Sequence, residues 1–154
     1  MSTSGPTILA IKARSRVEAA QAAYDTARAE LVAALMAEAA LLDAGTMPDD
    51  VAAIIRTVAA FYRLPEAVFR LRDQRAHVAR PRLVAMALAD ELTHHGLEVI
   101  GDAFGGRDHS TVIHARHAVA NRLKTEKFFE NDWKVIRSAA LNAMAIKSGQ
   151  QAVA

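Results

Sequence analysis

The sequence predicts an all-α fold, a helix-turn-helix bundle with an extra long helix at its N-terminus. Composition and pattern both lead there. Apolar residues make up 52% of the 154-residue chain but aromatics only 5%, and alanine dominates; this mixture suits helices packed through small side chains better than a β-sandwich. Apolar positions recur at steps of three and four along most of the chain, with Pro and Gly between the segments, as helices joined by short turns require. A chain of this length holds one compact domain plus an appendage, not two large domains.

Residues 1–12 open with the polar, breaker-rich run Met1 to Thr7 and read as a flexible N-terminus, and Ile8-Leu9-Ala10-Ile11 is too short for a signal-peptide core. Residues 13–45 read as one long helix. Its span 14–43 holds no Pro or Gly and places Val17, Ala20, Tyr24, Ala27, Leu31 and Ala34 on one apolar seam. Glu38 interrupts that seam before Leu41 resumes it, with Leu35 and Leu42 flanking the break. The helix is expected either to form a homo-oligomer through this seam or to pack on the domain.

Residues 46–147 read as that domain. Gly45 stops the long helix, and Pro48-Asp49-Asp50 starts a second with acids in its first turn, where the macrodipole favours them. That helix should reach Tyr62, with Val51, Ile54, Ile55, Val58, Phe61 and Tyr62 inward. Pro65 fits the first turn of a short helix carrying Ala67 to Leu71, and Asp73 to His77 reads as a loop. Arg80-Pro81 then opens a helix with Leu83, Met86, Ala87 and Leu92 inward, which Gly96 closes. Leu97 to Phe104 form a short helix ended by Gly105-Gly106, and Asp108 caps a longer one to Leu123. A last helix from Glu126 to Lys147 turns Trp133, Val135, Ile136, Ala140, Leu141 and Met144 inward, and 148–154 read as a flexible tail.

Net charge is only +2, but residues 1–45 carry −1 and residues 46–154 carry +3. The excess concentrates between Arg63 and Arg82, where six Arg face only Glu66 and Asp73. Such a patch suits phosphates, although a solvated helix face would look the same. The most apolar stretch, 31–42, contains Glu38 and falls short of the roughly 20 residues that a bilayer span needs. The chain has no Cys, which excludes disulfides and thiolate metal sites. A soluble, cytoplasmic, nucleoid-associated protein is expected.

Short helix, glycine turn and polar-started helix form the layout of a helix-turn-helix, whose second helix enters the major groove. Arg107, Asp108, His109, Ser110 and Thr111 crowd donors and acceptors at that helix start, while Val112, Ile113, Ala115 and Val119 can hold its other side on the core.

The runs Ala79-Arg80-Pro81-Arg82 through Thr93 and Ile100-Gly101-Asp102-Ala103-Phe104-Gly105-Gly106-Arg107-Asp108-His109-Ser110-Thr111-Val112-Ile113-His114-Ala115 resemble the C-terminal DNA-binding domain of the bacterial replication initiator DnaA, over residues 50–140. The resemblance implies double-stranded DNA as partner, at boxes of the TTATCCACA type, with a basic loop in the adjacent minor groove. It implies that Asp108, His109 and Ser110 address bases, that Arg107, Thr111 and His114 orient the helix or contact phosphate, and that Arg82 contacts the backbone. Physical chemistry is compatible with those roles: Asp accepts from a cytosine amino group, His and Ser bond base edges, and Arg suits phosphates. Asp108 acting purely as a helix cap is the alternative.

Three positions depart from the family pattern. Ser110 lacks the methyl of the usual Thr. Gln74 stands at the minor-groove Arg position, leaving Arg75 as its substitute, and Asp90 replaces a basic residue. No G-x-x-x-x-G-K-[ST] loop occurs, so neither nucleotide, ATPase activity nor other cofactor is expected. The expected role is regulation of replication initiation or transcription by box binding. Two alternatives belong to other classes. One is a protein-interaction module that works through the long helix. The other is a metal enzyme using some of His77, His94, His95, His109, His114 and His117, the pair 114 and 117 sharing a helix face.

Overall fold

The computed structural model describes residues 5–40 and 47–151, and among them every regular element is helical. In chain order these are α1 (Gly5–Ala40), α2 (Asp49–Tyr62), a 3-10 segment (Glu66–Arg70), α3 (Ala76–Leu92), α4 (Leu97–Ala103), α5 (His109–Thr125) and α6 (Lys127–Gln151). The all-α expectation holds, and four boundaries move. α1 starts at Gly5 rather than near residue 13, because Pro6 sits where a helix has no N–H bond to lose. α3 starts at Ala76, where the extended Arg75 carbonyl accepts from Val78 and Ala79 at 3.0 and 2.8 Å. Arg80-Pro81 therefore lies inside α3 and does not open it. Thr93 ends α3, its hydroxyl donating to the Ala89 carbonyl at 2.6 Å, and Gly96 serves as the N-cap of α4. α6 continues to Gln151, into the expected tail. The break at Glu38, its flanks Leu35 and Leu42, and the stop at Gly45 lie outside the residues whose side chains are described.

The core forms around α3. Six consecutive residues, Val84 to Ala89, are buried, as befits a helix covered on all sides. It packs against α2, the 3-10 segment, α4 and α5. One-sided periodicity misses this, since Val84, Leu88 and Ala89 are buried while Leu83 and Leu92 are only half-buried. Fully burying Met86 and Leu88 stabilises the fold by about 1.5–3 kcal/mol each. α2 contributes Val51, Ile54, Ile55 and Val58, whereas Phe61 is largely exposed. α6 lies on α2 and α5 through Phe129, Trp133, Ile136 and Ala140, with Val135 and Leu141 facing outward, contrary to expectation. α1 docks through its C-terminal part. Its end near Leu31 touches the 3-10 segment, Arg28 donates to the Arg63 carbonyl at 3.1 Å, and residues 8–30 are exposed throughout.

Candidate nucleic-acid interface

The turn between α4 and α5 is set by close backbone approach. The Arg107 N–H donates to the Gly101 carbonyl at 2.9 Å, and a Cβ on Gly101 would collide with the Arg107 carbonyl. Gly105 has φ +88° and faces the Arg70 carbonyl so closely that a side chain would overlap it. Gly106 has φ +69°, a second left-handed position favouring glycine. Past the turn, Asp108 is extended and its Oδ1 accepts from the Ser110 N–H at 2.8 Å. Hydrogen bonding from Ser110, by its side chain first and its backbone N–H next, together with the nearby His109 charge, holds the carboxyl below its usual pKa. The expected cap is present, and His109 Nδ1 lies 3.4 Å from the same carboxylate.

α5 buries Val112, Ala115 and Val119. Its opposite face exposes Ser110, His114, His117 and Asn121 at helical spacing, with His109 at the tip and Thr111 partly covered. Sequence reading stopped at His114. The signal that extends the face is the 110–114–117–121 spacing, legible once the buried set is known. Arg116 is held by Asp90 at 3.2 Å, so Asp90 acts on a neighbour within the protein. Arg122 lies over the Phe129 ring, 3.8 Å from its centroid, and pairs with Glu126.

The loop after the 3-10 segment lies beside this tip. Arg107 is half-buried and donates from Nη2 to the Leu71 carbonyl at 2.8 Å. Burial, then the charge of Arg72, lowers its pKa. Of its two expected roles, this geometry fits orienting the helix. Arg82 requires a correction. Only 4% of it is exposed, and it donates to the carbonyls of Phe69 (3.0 Å), Asp73 (2.7 Å) and Val68 (3.1 Å). Burial, aided by Arg107, lowers its pKa to about 10, which leaves it charged at neutral pH. Its guanidinium holds the loop and cannot also meet a phosphate. Arg75 is half-exposed and grips Asp73, with Nε 3.0 Å from Oδ1 and Nη2 2.5 Å from Oδ2. These contacts lower the Asp73 pKa to about 2. Arg72 and Gln74 are exposed; Arg72 was missed because charge counting cannot separate an outward Arg from one turned inward.

Arg80 is exposed but stands apart from this group. Its charge helps depress the Glu126 pKa at the far end of α5, about 25 Å from the Asp108 tip at 1.5 Å per residue. His95 lies on Asp50 at 2.8 Å, and among the described residues no three His, Asp or Glu converge as metal ligands. Among the same residues, no helix is long and apolar enough to cross a membrane.

A short helix, a two-glycine turn and an N-capped helix with a polar outer face define a helix-turn-helix of the DNA-binding class. Residues 51–119 match the model of the bacterial DnaA protein helix-turn-helix. The chain is 40% identical over 102 residues to the chromosomal replication initiator protein DnaA of Chromobacterium violaceum, a match covering 66% of this chain and 22% of that protein. The chain thus spans about a fifth of the length of that relative.

Proposed function

We propose that this protein recognises DnaA-box-like sites in double-stranded DNA and thereby regulates replication initiation or transcription. The first turn of α5 enters the major groove, where Asp108, His109 and Ser110 meet base edges, and Thr111 and His114 bond phosphate or steady the helix. The observation that carries this reading is the N-capped α5 tip, with its exposed face, locked by Arg107 to the basic loop 71–75. One rigid surface thereby offers a major-groove reader and an adjacent loop for the minor groove. Arg72 is the outward cation of that loop, and Arg75 joins it if DNA draws it off Asp73. Arg80 meets the backbone separately, beyond the far end of α5.

The test is titration of a box duplex and a scrambled duplex of equal length at one stated salt concentration. The box should bind at least about tenfold tighter, and His109→Ala should remove most of that preference, about 1–3 kcal/mol. Equal affinities for the two duplexes would overturn the reading.

A further inference from the structure

α1 presents an apolar seam that its own domain leaves open. Its Val17 and Tyr24 are 68% and 62% exposed. Where the seam nears the domain, a cleft of about 760 Å³ still separates Tyr24, Ala27 and Leu31 from Tyr62, Leu64 and Pro81. A helical stretch as exposed as residues 8–30 is marginal in water, since most helical stability comes from packing an apolar face.

We propose that a second copy of this chain covers the seam, with the two α1 helices antiparallel. Two independent features of the arm select this occupant and this orientation. The first is side-chain volume. In heptad register Ala10, Val17, Tyr24 and Leu31 take one core position, and Ala13, Ala20, Ala27 and Ala34 take the other. In a parallel in-register pair like meets like, stacking Tyr24 on Tyr24 and Ala20 on Ala20, so crowded layers alternate with empty ones. In an antiparallel pair Val17, Tyr24 and Leu31 each face an alanine, so the six inner layers fill evenly and only the two end layers, Ala10 against Ala34, stay small.

The second is charge. Residues 5–17 carry Lys12, Arg14 and Arg16 and no acid, whereas residues 18–40 carry Glu18, Asp25, Glu30 and Glu38 against Arg28 alone. A parallel pair sets the basic halves side by side. An antiparallel pair sets each basic half against an acidic one, and a two-fold axis makes both contacts at once. Arg14 pairs with Glu18 and Gln21 with Asp25 within the arm, which leaves Arg16 and Glu30, each flanking the core in this register, to meet across the pair.

Light scattering on the full chain without DNA should give twice the 16.6 kDa chain mass, and Val17→Asp with Tyr24→Asp should return it to one. Both sites are exposed, so the melting temperature of the domain should hold. Orientation is read in single-cysteine variants, for which the natural chain has no Cys to interfere. A short bis-maleimide should link Ala20→Cys to its copy. It should not link Ala10→Cys, whose partner lies at least about 25 Å away by helical rise. A monomer at all concentrations overturns the proposal, as does any cross-linking pattern other than Ala20→Cys alone. Because no step uses DNA, this outcome is separate from the fate of the box-binding reading.

Discussion

Replacing Arg82 by alanine should destabilise the whole domain rather than trim a DNA contact. The guanidinium is buried and satisfies three carbonyls, of Val68, Phe69 and Asp73, at 2.7–3.1 Å. A hydrogen bond involving a charged group contributes about 1.5–3 kcal/mol, and a buried acceptor left unpaired costs a similar amount. The three share one side chain and do not add fully, and the Asp73 carbonyl lies near enough to solvent to find water. A loss of about 3–5 kcal/mol follows, large against the 5–15 kcal/mol typical of a whole domain. In a domain this size that corresponds to a melting temperature at least about 10 °C lower, read by far-UV circular dichroism. Arg82→Lys distinguishes the two roles, because it keeps the charge but cannot span three carbonyls. It should melt nearly as early as the alanine variant, whereas a phosphate contact would be largely rescued by lysine. A variant melting within a couple of degrees of the parent, with its salt dependence reduced by about one phosphate, would refute the structural role.

Two other changes probe the same surface. Gly105→Ala combines a left-handed φ of +88° with a collision against the Arg70 carbonyl, whereas Gly106→Ala at φ +69° meets open space. The second should cost about 1–2 kcal/mol for the backbone alone, and the first distinctly more, as urea midpoints will show. Asp73 has a folded pKa of about 2, below the ordinary 3.8, chiefly through its Arg75 hydrogen bond. Its stabilisation is therefore complete above about pH 4 and is lost as pH falls toward 2. Asp73→Asn should lower the melting temperature at neutral pH and flatten the acid limb of the pH-stability curve.

The site was legible in the sequence where backbone chemistry is local. Gly105-Gly106 and Asp108 announce a turn and a cap by residue type alone, and the order of the helices follows from period and punctuation. What stayed hidden depends on tertiary direction. Arg82, Arg107 and Arg72 are equivalent in a charge count, yet the first is buried, the second half-buried and the third exposed. Nothing in a run of basic residues says which of them must satisfy the carbonyls of an irregular loop. The start of α3 escaped for a related reason. A proline suggests a first turn, but the extended Arg75 nucleates the helix earlier and Pro81 is carried inside it.

Those directions also fix how strongly binding should depend on salt. Six Arg between residues 63 and 82 would by themselves suggest a slope of log K against log salt near −5, at about −0.9 per neutralised phosphate. Of these, Arg82 is buried, Arg70 is half-buried and Arg75 is gripped by Asp73, so none of the three counts fully. Arg72 in the loop remains outward beside the reading surface, with Arg63 and Arg80 outward elsewhere. Three contacts give a slope close to −3, rising toward −4 if DNA draws Arg75 off Asp73. Asp73→Asn should then steepen the slope by up to about one, because it removes the carboxylate that grips Arg75 without adding a positive side chain. Fluorescence anisotropy with a box duplex across a salt series measures both. A parent slope of −5 or steeper would mean that the buried arginines rearrange on binding, and the rigid surface on which the box-reading geometry rests would have to be abandoned.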